Sequence, residues 1–389
     1  MVKNLFDDAK TEDLDELDLR VYTSNLLGSD QDLVLHGGGN TSLKLDDILY
    51  VKGSGWDLST IKKQGFAPVK MDTLLKMAQK DSLSDSDMVK EQREAMLNKD
   101  APNPSVEAIL HAIIPFKYVD HTHADAVVTI SNSINGKKII KDLFRDFLIV
   151  DYVMPGFILA KRVYELTKEF NWEESKGIIL LNHGIFTFDD DAKSSYTKMI
   201  DAVNLAEEFL DKNANLDLKK LTPKSFNVEG LKTIIEKRKS KEIFLNINQS
   251  DLALNYSNAD NLKSFASRGV LTPEHIIRTK RSPLVIEDLD GDIDSMVDEY
   301  IAWYERYFEE FSDGEIMLNP APNYAVIKGF GVVSFGGSQK EADIINDIVL
   351  HTMKAVMRAD MLGGYESISL KDSFDMEYWE LEQAKLRSK

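Results

Sequence analysis

The sequence predicts a mixed α/β chain built as two domains, and three observations carry that prediction. At 389 residues the chain exceeds the length at which one hydrophobic core usually keeps growing. Short apolar, β-prone runs at 43–52, 117–120, 177–181 and 185–188 are interleaved with amphipathic stretches such as 192–212. A comparable β-turn-β run recurs at 325–335. The polar, lysine-rich connection at 212–225 marks the boundary, which gives a first domain over 1–215 and a second α/β region over 226–389.

Up to about residue 32 the chain is acidic, and Leu14, Leu17, Val21 and Leu26 are spaced for one helix face. The glycine cluster His36-Gly37-Gly38-Gly39-Asn40-Thr41-Ser42 interrupts it. Leu43, Leu45 and Ile48-Leu49-Tyr50-Val51-Lys52 then read as two strands about an Asp46-Asp47 turn. After Gly53-Ser54-Gly55 a polar, helix-prone stretch runs through Lys99 and is stopped by Ala101-Pro102-Asn103-Pro104. Asn103 and Pro104 are an N-cap and a first-turn proline, so the next helix is expected over 105–114 with Glu107 in its first turn.

Residues 117–120 read as a strand leading into His121-Thr122-His123, and 124–131 as an apolar helix or buried strand. Pro155-Gly156 marks a turn within 150–159. The runs at 177–181 and 185–188 are separated by Asn182-His183-Gly184, a tight turn in which Asn and Gly tolerate positive backbone angles and His183 rides at the tip. Met199, Val203, Ala206 and Leu210 line one side of a helix over 192–212.

Composition narrows the function. With 43% hydrophobic and 29% charged residues, and no apolar run long enough to span a bilayer, the chain has the make-up of an ordinary soluble protein. Asp7 and Asp8 stand where a secretory signal needs an apolar core, so a cytoplasmic protein without membrane contact is expected. There is no cysteine, which excludes disulfides, thiolate nucleophiles and cysteine metal ligands. A formal charge of −18 argues against a nucleic-acid partner.

If 118–123 forms a strand, His121 and His123 point to the same face. The pair by itself reads as readily as two hydrogen-bonded core histidines. Joined by His183 from a distant turn, it supplies the three neutral nitrogens that hold a catalytic zinc and leave one position open.

Five phrases in chain order, the glycine-rich 36–42, Lys52-Gly53-Ser54-Gly55, Pro104-Ser105-Val106-Glu107, His121-Thr122-His123 and Asn182-His183-Gly184, resemble the class II aldolase/adducin family. That resemblance implies a three-layer αβα domain with a central, mainly antiparallel sheet. It implies that His121, His123 and His183 hold one Zn2+ per chain, or another divalent metal, and that Glu107 is the catalytic acid/base. It also implies that Asn40, Ser54, Gly55 and Ser105 bind the phosphate of a ketose 1-phosphate. Val106 departs from the aldolase pattern, which has a serine there, and puts one phosphate hydrogen bond in doubt. In physical terms Ser105 at a helix N-terminus and close-approaching glycine amides favour an anion, and Lys44 and Lys52 are close in sequence to add charge.

The whole length is similar to the aldolase portion of the bifunctional rhamnulose-1-phosphate aldolase/alcohol dehydrogenase group, including Tyr152-Val153-Met154-Pro155-Gly156-Phe157, Arg278-Thr279-Lys280-Arg281 and Met376-Glu377-Tyr378-Trp379. The expectation is therefore a zinc-dependent, homo-oligomeric lyase of rhamnose catabolism. It would split a ketose 1-phosphate, rhamnulose 1-phosphate foremost, into dihydroxyacetone phosphate and lactaldehyde. A short-chain dehydrogenase domain is expected next in that group; the sequence ends at Lys389 without one, and no dehydrogenase activity is expected of it. The alternatives are a sugar-phosphate dehydratase or epimerase of the same fold, or a non-catalytic adducin-like interaction module. Glu107 stands where epimerases would favour aspartate, and the intact histidine set argues against the module.

In the second half, 325–335 can be laid on 177–188 with Gly331 on Gly184 and Phe335 on Phe188. Phe330 then stands in the place of His183, so this region reads as a degenerate aldolase-like repeat that has lost its metal site. Arg278, Lys280 and Arg281 read as a solvated basic face, and His275 and His351 as structural. The glycines at 329, 331 and 336 lack the spacing of a dinucleotide fingerprint.

Overall fold

Alternating side chains along Tyr118–Thr122 organise the first half of the molecule. In this computed structural model, which describes residues 1–381, Val119 faces a core shared with Leu110, Ile178 and Phe186, while Tyr118 faces the opposite way with Leu43 and Ala192. Period-two alternation thus gives the strand two buried faces, as a sheet covered by helices on both sides requires.

Seven strands make that sheet: β1 (Asn40–Leu45), β2 (Ile48–Lys52), β3 (Phe66–Lys70), β4 (Tyr118–Thr122), β5 (Phe147–Val150), β6 (Gly177–Leu180) and β7 (Gly184–Asp189). Their order is β3-β2-β1-β4-β7-β6-β5, with every pair antiparallel except β5 with β6. Helices Met71–Gln79, Ala108–Ile113 and Phe157–Leu166 bury their apolar sides against one face. Helices Glu16–Gly28 and Ala192–Asn213 cover the other. The result is three layers, αβα, with a mainly antiparallel centre.

Three local expectations are corrected. The helix expected over 105–114 starts only at Ala108, because Pro104 pairs with Gly53 as an isolated bridge and Val106 and Glu107 form a turn. Glu107 is its N-cap residue, and Asn103 instead takes a hydrogen bond from Arg93. In the first helix the buried residues are Arg20, Thr23, Ser24 and Leu27, not the leucine and valine stripe read from the sequence. Burial of Arg20 is tolerated because Asp120, also buried, lies 2.5 Å away on β4. Strand β3 lay hidden inside a stretch read as helical; Pro68, which cannot donate to a ladder, fits there because β3 is an edge strand.

By compactness residues 1–131 and 136–211 form one unit, and 132–135 with the chain from 212 onward form another. The second unit has its own sheet of β8 (Phe244–Asn248), β9 (Leu284–Ile286), β10 (Tyr324–Ile327) and β11 (Gly331–Gly336), ordered β8-β11-β10-β9. The β8/β11 and β10/β11 pairs are antiparallel and β9/β10 is parallel. This repeats the order and sense of β4-β7-β6-β5. Each hairpin, β6/β7 and β10/β11, feeds a long helix, Ala192–Asn213 in one unit and Gln339–Met361 in the other. Among the described residues no helix is long and apolar enough to cross a membrane.

Candidate metal centre

His121 is carried on the inner strand β4, and its ring stacks at 4.0 Å on Phe186 of the neighbouring β7. Its Nδ1 lies 3.0 Å from the carbonyl oxygen of Ile185. A carbonyl only accepts, so Nδ1 carries the proton and Nε2 presents a lone pair. His123, one residue beyond the end of β4, brings its Nε2 to 3.0 Å from that of His121. His183 arrives from the turn between β6 and β7, where Asn182 takes a left-handed φ of +59°. Gly184 is needed there, because a Cβ would meet Thr122 O at 2.5 Å and His121 Cε1 at 2.9 Å.

The three ligand nitrogens all lie within 4.8 Å of one another. Nitrogens sharing one tetrahedral zinc are separated by roughly 3.3 Å, given bonds of about 2.05 Å. Glu107 closes the group, with Oε2 3.5 Å from His121 Nε2 and Oε1 3.6 Å from His183 Nε2. That Oε1 is buried and has no hydrogen-bond partner among the described residues. A buried carboxylate oxygen left without a partner is costly unless a cation or substrate answers it. The residues therefore fit a divalent metal held by His121, His123 and His183 with Glu107 alongside.

Behind Glu107 runs a chain of polar contacts that sequence reading missed. Asn40 Nδ2 donates to Glu107 Oε2 at 2.6 Å, and Asn40 Oδ1 accepts from His111 Nε2. His111 Nδ1 is left to accept from Ser42 Oγ at 2.8 Å. Burial, aided by Lys44, His121 and Arg20, holds His111 well below its ordinary value, so it is a neutral imidazole with one proton to give. The available signal was its position four residues after Glu107, one turn along.

Of the four residues expected at a phosphate, Ser54, Gly55 and Ser105 are gathered by backbone pairing between two loops. Ser54 N donates to Asn103 O at 2.8 Å and Ser105 N to Lys52 O at 3.0 Å. Asn40 is engaged elsewhere, its amide hydrogen-bonded to Glu107 and His111. Lys52 is buried, donates to Gly37 O at 3.0 Å, and is lowered to about 8 by burial against the pull of Asp57 and Glu107. Lys44 does not reach this end of β1: it lies four residues along from Asn40 and donates to Phe116 O.

Residues 19–210 match the Class II Aldolase and Adducin N-terminal domain, and residues 227–386 match the second domain of class II aldolases. The chain belongs to the class II aldolase/adducin family. An uncharacterized oxidoreductase of Bacillus subtilis, YuxG, is 30% identical over 418 residues, covering 99% of this chain and 60% of that protein. The chain thus spans well under two thirds of this relative's length. The N-terminal class II aldolase domain of a conserved Thermoplasma acidophilum protein is 38% identical, with a TM-score of 0.50 over 54% of this chain and 100% of that one. L-fuculose-1-phosphate aldolase from Thermus thermophilus is more distant, at 14% identity and a TM-score of 0.35 over 50% of this chain and 94% of that one.

In the second unit of this family member the positions equivalent to the three histidines carry other residues. With Gly331 on Gly184, the pairings Thr122 with Ile185 and Asn248 with Val332 become equivalent. His121, His123 and His183 then correspond to Ile247, Gln249 and Phe330. Gln249 Nε2 donates to Phe330 O at 3.1 Å, so an amide-to-backbone hydrogen bond occupies the place of the metal ligands.

Proposed function

We propose that the chain is a metal-dependent lyase that cleaves a ketose 1-phosphate by a retro-aldol reaction, with rhamnulose 1-phosphate as the substrate and dihydroxyacetone phosphate and lactaldehyde as products. The observation that carries this reading is Glu107, poised 3.5 and 3.6 Å from two of three convergent histidine nitrogens, with one buried carboxylate oxygen that has no hydrogen bond among the described residues. A divalent ion, zinc in this reading, when bound by His121, His123 and His183 supplies a Lewis acid that polarises the carbonyl beside the breaking bond.

The chain's own residues do the rest. Cleavage breaks the bond between carbons 3 and 4: the carbon 4 hydroxyl gives up its proton to the Glu107 carboxylate as it becomes the aldehyde, and carbon 3 takes a proton back, so none is gained or lost overall. Glu107 is the group that delivers this proton, and Asn40 with His111 holds its carboxylate in place. Ser54, Gly55 and Ser105 receive the phosphate, with Lys52 lending positive charge. Redox chemistry, which the name of the Bacillus relative carries, is not assigned to this chain, which spans only 60% of that protein.

Two measurements test the proposal. Purified protein should contain about one zinc per chain, removable by chelator and absent from a His121→Ala, His123→Ala variant; a chain that stays metal-free when supplied with zinc, manganese or cobalt refutes it. Glu107→Gln should keep its metal yet lose proton exchange at carbon 3 of dihydroxyacetone phosphate. Exchange at the wild-type rate would remove Glu107 from the chemistry. A panel of ketose 1-phosphates in a coupled assay decides the aldehyde.

A further inference from the structure

The basic segment 278–281 is not a solvated face: only Arg278 is exposed, and Lys280 is 4% exposed. Lys280 lines a cavity of about 350 Å3 in the second unit together with Lys239 and Lys241. Its Nζ donates to Asn319 O at 2.5 Å and sits 3.4 Å from the centre of the Tyr304 ring. Lys239 Nζ donates to Asn323 Oδ1 at 2.5 Å. An ammonium has three donors, and these bonds use one on each. Among the described residues neither lysine is in an ion pair.

Glu377 lines the same cavity and is 2% exposed. Tyr304 OH donates to its Oε1 at 2.7 Å, and its Oε2 has no partner among the described residues. Glu341, the other acid of the cavity, accepts from Gly337 N at 2.7 Å. Leu318 and Phe335 add apolar wall. The electrostatics fit an anion. Burial lowers Lys280 to about 7, with Lys239 pushing the same way against Glu377, and lowers Lys239 to about 8, with Lys241 pushing the same way against Glu341. Burial also raises Glu377 to about 7, against Lys280 and Tyr304. Ammonium groups gathered with no carboxylate in ion-pair contact repel one another and lose hydration, and both costs fall when an oxyanion enters.

We propose that this cavity binds a small metabolite that bears an oxyanion, a phosphate ester or a carboxylate, together with a hydroxyl group. Lys239, Lys241 and Lys280 take the oxyanion, and the open Oε2 of Glu377 takes the hydroxyl. The site is no remnant of the metal centre. It lies where β10 begins and β11 ends, at Asn323 and Phe335, whereas Phe330 marks the opposite end of that hairpin.

Titration calorimetry on the full-length protein tests this, with inorganic phosphate, glycerol 3-phosphate and malate as probes. At least one should bind, and which one assigns the oxyanion class. Lys239→Met with Lys280→Met should weaken that binding by about tenfold or more, while His121→Ala with His123→Ala should leave it intact. No binding of any probe, unchanged affinity in the lysine variant, or loss in the histidine variant overturns the proposal. Should the double lysine variant fail to fold by circular dichroism, Lys241→Ala at the exposed rim decides: weaker binding supports the site, and unchanged affinity overturns it.

Discussion

The side chain of Asn40 spends both ends of its amide on neighbours, Nδ2 on Glu107 and Oδ1 on His111. The family pattern suggested a phosphate contact, and the geometry points to a positioning role. A hydrogen bond to a charged group contributes about 1.5–3 kcal/mol, so Asn40→Ala should lower kcat by roughly 10- to 150-fold with KM little changed. A raised KM at constant kcat would return Asn40 to the phosphate. His111 escaped notice for a related reason. Nothing in a lone helix histidine tells whether its partner is a serine and an asparagine brought in by a distant strand. Lys44, half-buried and lowered to about 7 by burial despite Asp190, offers a test of pH dependence. The unfolded chain keeps this proton up to 10.5 while the folded chain sheds it near 7, so the destabilisation is full below about 7 and relieved as pH rises from there toward 10.5. Lys44→Met should therefore gain stability over wild type most below about pH 7, with the gain fading toward 10.5; urea titrations across that range read it directly.

At the scale of elements, the β6/β7 hairpin and strand β4 were legible because their signals are local. Alternation, β-branched residues and an Asn-His-Gly turn act within a few positions. The helix after Pro104 was misplaced by three residues because a tertiary bridge to Gly53 overrode a sound capping signal. The first helix shows the same override on a larger scale. Its buried stripe is polar, since Arg20 reaches Asp120, whose other oxygen accepts from Ser195 Oγ at 2.5 Å. One buried carboxylate thus ties helices Glu16–Gly28 and Ala192–Asn213 to the strand that carries His121. Asp120→Ala would leave Arg20 buried without a counter-charge and should cost about 3–5 kcal/mol in urea denaturation. A loss near zero would mean that solvent reaches Arg20.

Across the whole molecule, the four-stranded sheet repeats the strand order and pairing pattern of β4-β7-β6-β5, yet among the described residues the three-histidine set occurs once. Ile247, Gln249 and Phe330 stand where the first unit has histidines, so metal analysis should give about one ion per chain, with none left after the His121→Ala, His123→Ala change. By itself the sequence determined the three histidines, the glutamate, the family and the repeated β-turn-β unit, because residue identity and short-range spacing suffice for these. Tertiary structure alone decided how Asn40, His111 and Ser42 line up behind Glu107, and that Lys280 is buried beside Lys239 instead of solvated. Those contacts join residues tens of positions apart, and the packing that desolvates them has no signature in the local pattern of the chain.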